Sequence, residues 1–437
     1  MFWLCASKSV VIYKRKKGIK NRYLVDLSDS KCTEKNYDKN YLAELERAAD
    51  CKINDIIHKD RMLVKLDYDE ALGYIYGLCT KIEESLIKSR VEMVVGLADT
   101  ALQLITIAIC RKLNIKWRLF VSMRIPRGVY GYSKSELSCD LCEINPIGDE
   151  SLAKKIIEEF TNKEVLPVSW SSSLNLRAIS RKMPIHIKLL IRKIRESMDD
   201  SGNVYSRYSP FELVKRYVER KINGYKYLNK IKLVKNLEDK YYFYALQTQP
   251  ESSIDVMGAP YSNQIELISL IARSIDISKF LYVKAHPGDI DGKKLSFYTA
   301  IEKIPGVKLV HHGISSRELI ENAECIFTVS GTVGYEGAIL GRPVVAFARN
   351  YYNIFPTVKY CSDLTDISSR IKQAILESKS NNSNEILNSM TELTRKFCFK
   401  AEFVPALDPI TGADGLPSAR DMSIMVDSIK ILLKESA

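Results

Sequence analysis

The chain has 437 residues, of which 46% are hydrophobic and 27% charged, and 65 Lys+Arg against 53 Asp+Glu give a net charge of +12. At ~150–200 residues per domain this length suggests two domains, and the ordinary globular composition argues against wholesale disorder and against collagen-like or coiled-coil classes. No stretch reaches the ~18–20 apolar residues of a spanning helix, and the excess of positive charge favours an anionic partner without naming one.

The N-terminal stretch Met1–Val11 is too short for an anchor and lacks the basic-then-apolar order of a signal peptide. Ten scattered cysteines therefore read as reduced thiols of a cytosolic protein. Cys139-x-x-Cys142 is the close pair, and an isolated pair makes a poor zinc site. Val10–Tyr13 reads as a strand, and Tyr41–Ala49 and Tyr68–Ser89 have helical periodicity. Val91–Gly96 is a short β-type run ending at Ala98-Asp99-Thr100, which can cap an apolar helix over Ala101–Leu113, and Trp117–Val121 is the next strand. This strand–helix–strand order predicts a parallel α/β unit. Arg124-Ile-Pro-Arg127-Gly then opens a loop with two arginines.

Residues 151–235 read as a basic helical linker, with much of the charge between Arg177 and Asn236. Apolar residues recur there at helical spacing, at Ile185, Leu189, Ile191 and Ile194, then at Leu213, Val214, Tyr217 and Val218. These are either the solvated faces of two linker helices or a surface that meets anionic lipid headgroups. No nucleic-acid partner is expected, because no RNP, KH or zinc-finger pattern is present.

The second half reads as βαβαβ with short connections. Strands are predicted at Tyr241–Leu246, Phe280–Val283, Val307–His311, Cys325–Val329 and Pro343–Phe347. Helices are predicted at Gln264–Ile275, Ser316–Ala323 and Val333–Leu340, with Ser315 or Ser316 as the cap of the second. A doubly wound sheet follows, and such sheets bind ligands at the carboxyl ends of their strands.

Four groups of residues stand at those ends. Ser330-Gly331-Thr332 joins a strand to a helix, so N–H groups and the positive helix end converge where a phosphate could sit, or the hydroxyls merely cap the helix. Glu336, one turn on, is placed to accept from a ribose or to stabilise the helix dipole. His286 closes a strand and is held extended by Pro287, so its imidazole can donate to a phosphate oxygen or pack in the loop. Lys284 shares its face by strand alternation. Gln249-Pro-Glu251-Ser-Ser follows the first strand, and Glu251 there fits a general base or nucleophile, or a simple turn. The paired His311-His312 point to opposite faces and make no natural metal pair.

Gln247–Ser253, Val283–Pro287, Thr328–Ala338 and Gly341–Phe347 resemble the bacterial capsule polysaccharide biosynthesis protein family, which includes capsule β-Kdo transferases. The resemblance spans about residues 240–360 and extends to the N-terminal half in outline. It implies an α/β, GT-B-like glycosyltransferase with two Rossmann-like domains facing a cleft. It implies a nucleotide-sugar co-substrate, a CMP-activated ulosonic acid in characterised members. No other cofactor and no metal are expected, because the helix end and His286 can do the charge work. It implies donor contacts from Gln249, Lys284, Ser330, Gly331, Thr332 and Glu336, and catalysis by Glu251 and His286. The chain departs from the family pattern at Pro250–Ser253 and at Ala348–Tyr352.

The expected organisation is an acceptor domain at 1–150, with Asp99, Arg124 and Arg127 on its side of the cleft. The linker 151–235 follows, then a nucleotide domain at 236–405. A last helix in 406–437, at Ser418–Leu433, crosses back toward the first domain. The expected partners are a nucleotide-sugar donor, a glycan or lipid-linked acceptor and an anionic membrane surface, at a cytoplasmic, membrane-peripheral location. Transfer of a polyol phosphate from a CDP-polyol and a non-catalytic role in capsule assembly or export are the competing readings.

Overall fold

A computed structural model of the chain describes residues 3–5, 20, 24–27, 37–143, 148–163, 191, 210–237, 240–380, 383–401 and 419–434. The strand expected at Val10–Tyr13 and the basic stretch carrying Ile185, Leu189 and Ile194 lie outside them. The chain divides into two compact units, Met1–Trp117 with Ser173–Glu219 and Arg118–Ser172 with Arg220–Ala437. The α/β class expected from the alternating pattern is the class observed.

Among its described residues the first unit contains a parallel pair, β1 (Trp3–Cys5) and β2 (Leu24–Asp26), the strand β3 (Met93–Gly96) and the α-helices Lys39–Ala49, Ile53–Lys59, Tyr68–Lys88 and Ala101–Lys112. Helix Ala101–Lys112 is apolar nearly all round, so it must be covered on several sides. Helices Lys39–Ala49 and Tyr68–Lys88 pack on it, with Leu45, Ile75, Cys79, Ile82, Ile105 and Ile109 wholly buried. Its N-terminus is closed from within the unit. The buried Asp60 carboxylate accepts the Ala101 N–H at 2.7 Å through Oδ2 and the Met62 and Leu63 N–H groups through Oδ1. Thr100 and Gln103 complete a capping box.

In the second unit β4 (Lys116–Met123) and β5 (Val129–Ser133) form an antiparallel hairpin, where the sequence had indicated a loop after Val121. The reversal depends on Gly128, which adopts φ +80 and leaves no room for a side chain beside the Ala401 carbonyl. The late strand β13 (Phe397–Lys400) joins β5 antiparallel. Phe120, Tyr130, Tyr132 and Phe399 stack across the three strands. The terminal helix Ala419–Lys434 packs on this group through Ser428 Oγ, 2.7 Å from Tyr132 Oη.

The remaining strands are β6 (Leu233–Val234), β7 (Tyr241–Ala245), β8 (Phe280–Lys284), β9 (Val307–Val310), β10 (Ala323–Thr328), β11 (Val344–Ala346) and β12 (Val358–Tyr360). They form one parallel seven-stranded sheet in the order β12-β11-β10-β7-β8-β9-β6. Near-continuous burial of Tyr241–Tyr244, Leu281–Val283 and Cys325–Phe327 is what a parallel sheet covered on both faces requires. Counted from β7, the order 3-2-1-4-5-6 is that of a doubly wound nucleotide-binding fold. The chain leaves β7 for β8 and β9 on one side, then returns to β10 on the other. The connections after β7 and β10 therefore diverge and open a crevice between them.

Removing the Asp60 carboxylate leaves three N–H groups without that acceptor. Asp60→Ala should cost about 2–4 kcal/mol of stability by denaturant unfolding. A loss below about 0.5 kcal/mol would show that the helix start is not held this way.

Candidate functional site

The crevice between β7 and β10 is built by buried amides and hydroxyls. Gln247 Nε2 donates to Thr328 Oγ1 at 3.1 Å, and the same oxygen accepts the Gly331 N–H at 2.9 Å. Gln264 clamps the other side, accepting the Gln247 N–H at 2.8 Å and donating to the Gln247 carbonyl at 3.1 Å. Ser330 Oγ donates to the Ser253 carbonyl, which joins the two divergent connections directly. A Cβ on Gly331 would stand 2.6 Å from Gln247 Nε2 and 2.9 Å from Thr328 Oγ1, so this close approach requires glycine.

Helix Thr332–Ile339 begins at this point. The hydroxyl of Ser330 and the N–H of Gly331, both expected to reach phosphate, are committed to protein acceptors instead. Gly334 N–H returns to the Gly331 carbonyl, leaving the Thr332 and Val333 N–H groups as the open donors of the helix end. The Thr332 side chain bonds to Glu336 beneath it.

Lys284 and Glu336, also expected as donor contacts, lie under the floor of the site. Lys284 is buried, and its Nζ donates to the Ile314 carbonyl at 2.6 Å and to Ser316 Oγ at 2.9 Å, stapling β8 to the connection after β9. Burial lowers its pKa to about 8. Burial pushes the Glu336 carboxyl up to about 7, against the charges of Arg317 and Lys284 and the Thr332 hydrogen bond.

Gln249 has a positioning role as well. Its Nε2 donates to Asp255 Oδ1 at 2.7 Å and to the Ser262 carbonyl at 3.2 Å. Its N–H donates to Asp289 Oδ2 at 3.3 Å, and Lys293 Nζ donates to its carbonyl at 3.2 Å. Asp289 and Lys293 thus bind the connection after β8 to the one after β7, and sequence reasoning passed over both. The available signal was the acid three residues past His286 with a lysine one helical turn beyond it. Glu251 stands exposed on this braced turn, its N–H donating to Asp255 Oδ2 at 3.0 Å.

His286 follows β8, beside β7. Its Nδ1 accepts the Gly288 N–H at 3.2 Å. In the neutral ring the proton is then on Nε2, leaving that nitrogen as the donor. Burial, and then the nearby Lys284 charge, lowers its pKa. Burial thus favours the neutral ring, with Nε2 as its N–H donor.

The acceptor-side residues are divided between the units. Asp99, in the first, pairs with Arg61 at 2.6 Å next to the helix start that Asp60 closes. Arg124 and Arg127 belong to the second unit, exposed on the β4–β5 turn, with Arg124 beside Tyr351. The Tyr335 hydroxyl, from the helix that begins at Thr332, holds this turn by donating to the Ile125 carbonyl at 2.9 Å. Among the described residues no group of three or more His, Cys, Asp or Glu could hold a metal ion, and no helix is long and apolar enough to cross a membrane.

Gly331→Ala should lower stability by about 1–3 kcal/mol, since both groups in its way are locked in hydrogen bonds. An unchanged melting temperature would contradict the packing described. For His286, NMR titration should give a midpoint below 6.5, with the Gly288 amide following it. The unfolded ring takes its proton first as pH falls, so the contribution of His286 to stability is lost as pH drops below about 6.5. A midpoint above 6.5, or a Gly288 amide indifferent to it, would refute the lock.

Comparison with known proteins places this geometry in context. Residues 195–359 match the model of the capsule polysaccharide biosynthesis protein family. Over 106 residues the chain is 27% identical to capsule polysaccharide modification protein LipA of Neisseria meningitidis serogroup B, a stretch covering 24% of this chain and 15% of LipA. Among solved structures, the β-Kdo 2,7 transferase KpsC of Thermosulfurimonas dismutans aligns over 82% of this chain and 90% of that one, at 10% identity and a TM-score of 0.34. UDP-GlcNAc 2-epimerase of Methanocaldococcus jannaschii aligns over 74% of this chain and 81% of that one, at 13% identity and a TM-score of 0.27. The resemblance read at residues 240–360, to the capsule polysaccharide biosynthesis protein family, is borne out by the family match across the strands and turns that build the crevice.

Proposed function

We propose that the chain is a glycosyltransferase of bacterial surface polysaccharide synthesis, moving a sugar from a nucleotide donor to a lipid-linked or glycan acceptor. A CMP-activated ulosonic acid of the Kdo type is the favoured donor. The observation that carries the reading is the pairing, at the carboxyl ends of β7, β8 and β10, of an open helix start at Thr332 with a histidine locked as an Nε2–H donor. Fixed dipoles of this kind stabilise charge on a departing phosphate without reorganising. The family match over 195–359 contains all of these groups.

In this mechanism the nucleotide phosphate meets the Thr332 and Val333 N–H groups, and His286 donates to an oxygen on which charge develops. The bond between the anomeric carbon and the phosphate oxygen breaks, and the electron pair leaves with the nucleotide. Glu251 faces the reacting carbon from the β7 turn. Acting as a base, it removes the acceptor hydroxyl proton and the anomeric centre inverts. Acting as a nucleophile, it forms a glycosyl ester that the acceptor then displaces, with retention. The charge work belongs to the helix end and His286, and turnover is expected without a metal. Activity is expected at the cytoplasmic face of the membrane, where nucleotide donors are available.

With CMP-Kdo and a capsule-type acceptor, His286→Ala and Glu251→Gln should each lower kcat by roughly 10²–10⁴-fold while leaving the fold intact, and EDTA should have no effect. CMP should raise the melting temperature of the parent more than UDP or GDP does, and His286→Ala should abolish that shift. A phosphodiester product would move the assignment to polyol-phosphate transfer from a CDP-polyol. Indifference of turnover to both substitutions, or a strict metal requirement, would overturn the mechanism.

A further inference from the structure

Helix Pro210–Lys230 is anchored along one side. Arg220 Nε donates to Asp291 Oδ1 at 3.1 Å, and the fully buried Tyr227 packs on Tyr298 with ring centroids 4.3 Å apart. The other side carries large apolar residues that are exposed. Phe211, Val214, Val218, Ile222 and Tyr225 are 76%, 42%, 48%, 45% and 68% exposed. At about 100° and 1.5 Å per residue these five fall within an arc of roughly 80° along ~21 Å of helix. Other large exposed apolar residues, such as Ile277 and Leu376, stand singly and call for no explanation. A continuous stripe on one helix face does.

The borders of the stripe are cationic. On the same helical geometry Lys215 and Lys226 lie along one edge and Lys221 along the other. The helix carries Lys215, Arg216, Arg220, Lys221, Lys226 and Lys230 against Glu212 and Glu219. A second copy of the chain is the wrong occupant on two grounds. The 3–4 spacing of Phe211, Val214 and Val218 needs an apolar residue next at 221, and Lys221 stands there. One helix face of this length also buries well under the ~800 Å² per partner of a stable interface. A shallow apolar stripe edged by lysines instead matches an anionic bilayer. Lysine stems lie along the apolar surface while their ammonium groups reach the headgroup phosphates.

We propose that this helix is a docking surface for an anionic lipid bilayer. Phe211, Val214, Val218, Ile222 and Tyr225 enter the boundary between headgroups and acyl chains, and Lys215 and Lys226 meet the lipid phosphates. The inference stands apart from the transferase reading, since it uses none of the crevice residues.

The test is co-sedimentation of the full-length protein with vesicles of phosphatidylcholine alone and of phosphatidylcholine mixed with phosphatidylglycerol. Binding is expected to the mixed vesicles and to weaken as salt is raised. Phe211→Ser with Val218→Glu should reduce it at least roughly tenfold, since both remove apolar area from the boundary and Glu adds a repelled charge. Lys215→Gln with Lys226→Gln should reduce binding to the mixed vesicles alone. Phe211, Lys215 and Val218 are exposed and Lys226 is half-exposed, and unchanged melting temperatures would show that the variants fold. Absence of binding by the parent, binding indifferent to Phe211→Ser/Val218→Glu, or a dimer that this pair of substitutions dissolves would each overturn the proposal.

Discussion

The site depends on one buried oxygen. Thr328 Oγ1, at the end of β10, accepts from Gln247 at the end of β7 and from the Gly331 N–H that starts the next turn. In a parallel sheet of this order the chain leaves β7 and β10 in opposite directions, so no ladder joins their connections. The two hydrogen bonds to Thr328 and the Ser330–Ser253 bond supply that join. They fix where the helix beginning at Thr332 points, and with it the open N–H groups. The requirement for glycine at 331 follows from the same contact.

The two units treat the same structural opportunity differently. Each has a helix that follows a strand through a short turn and so exposes a positive end. In the first unit that end is filled by the buried Asp60 carboxylate, braced by the Thr100–Gln103 box and flanked by the Arg61–Asp99 pair. An incoming phosphate would have to displace a carboxylate there. In the second unit, among the described residues, no carboxylate accepts from the corresponding N–H groups, and burial raises the pKa of the nearby buried acid Glu336 to about 7. On the proposed function, this difference is what favours the second unit over the first for the donor phosphate. His286 adds a donor whose direction is set by Gly288 and whose neutral form is favoured by burial.

Much of this was legible in the sequence because parallel strands buried on both faces read as short apolar runs. Tyr241–Leu246, Phe280–Val283 and Cys325–Val329 could be read as strands for that reason, and the turns that follow them stood out as polar residues at strand ends. Strand β13 was not legible, since its pairing with β5 joins residues about 270 positions apart and no local pattern records it. Ser330, Gly331, Gln249 and Lys284 were read as ligand contacts because composition and spacing identify a polar turn without saying which donors the protein itself consumes. The same blindness hid Asp60, Asp289 and Gln264, whose roles come from partners 41, 40 and 17 residues away.

The most direct test of the account is a crystal structure of the chain with CMP. The account predicts the phosphate within hydrogen-bond distance of the Thr332 and Val333 N–H groups and of His286 Nε2, with the Asp60–Ala101 contact undisturbed. A phosphate bound at the Ala101 helix start, or CMP seated with its phosphate turned away from Thr332 and His286, would contradict it.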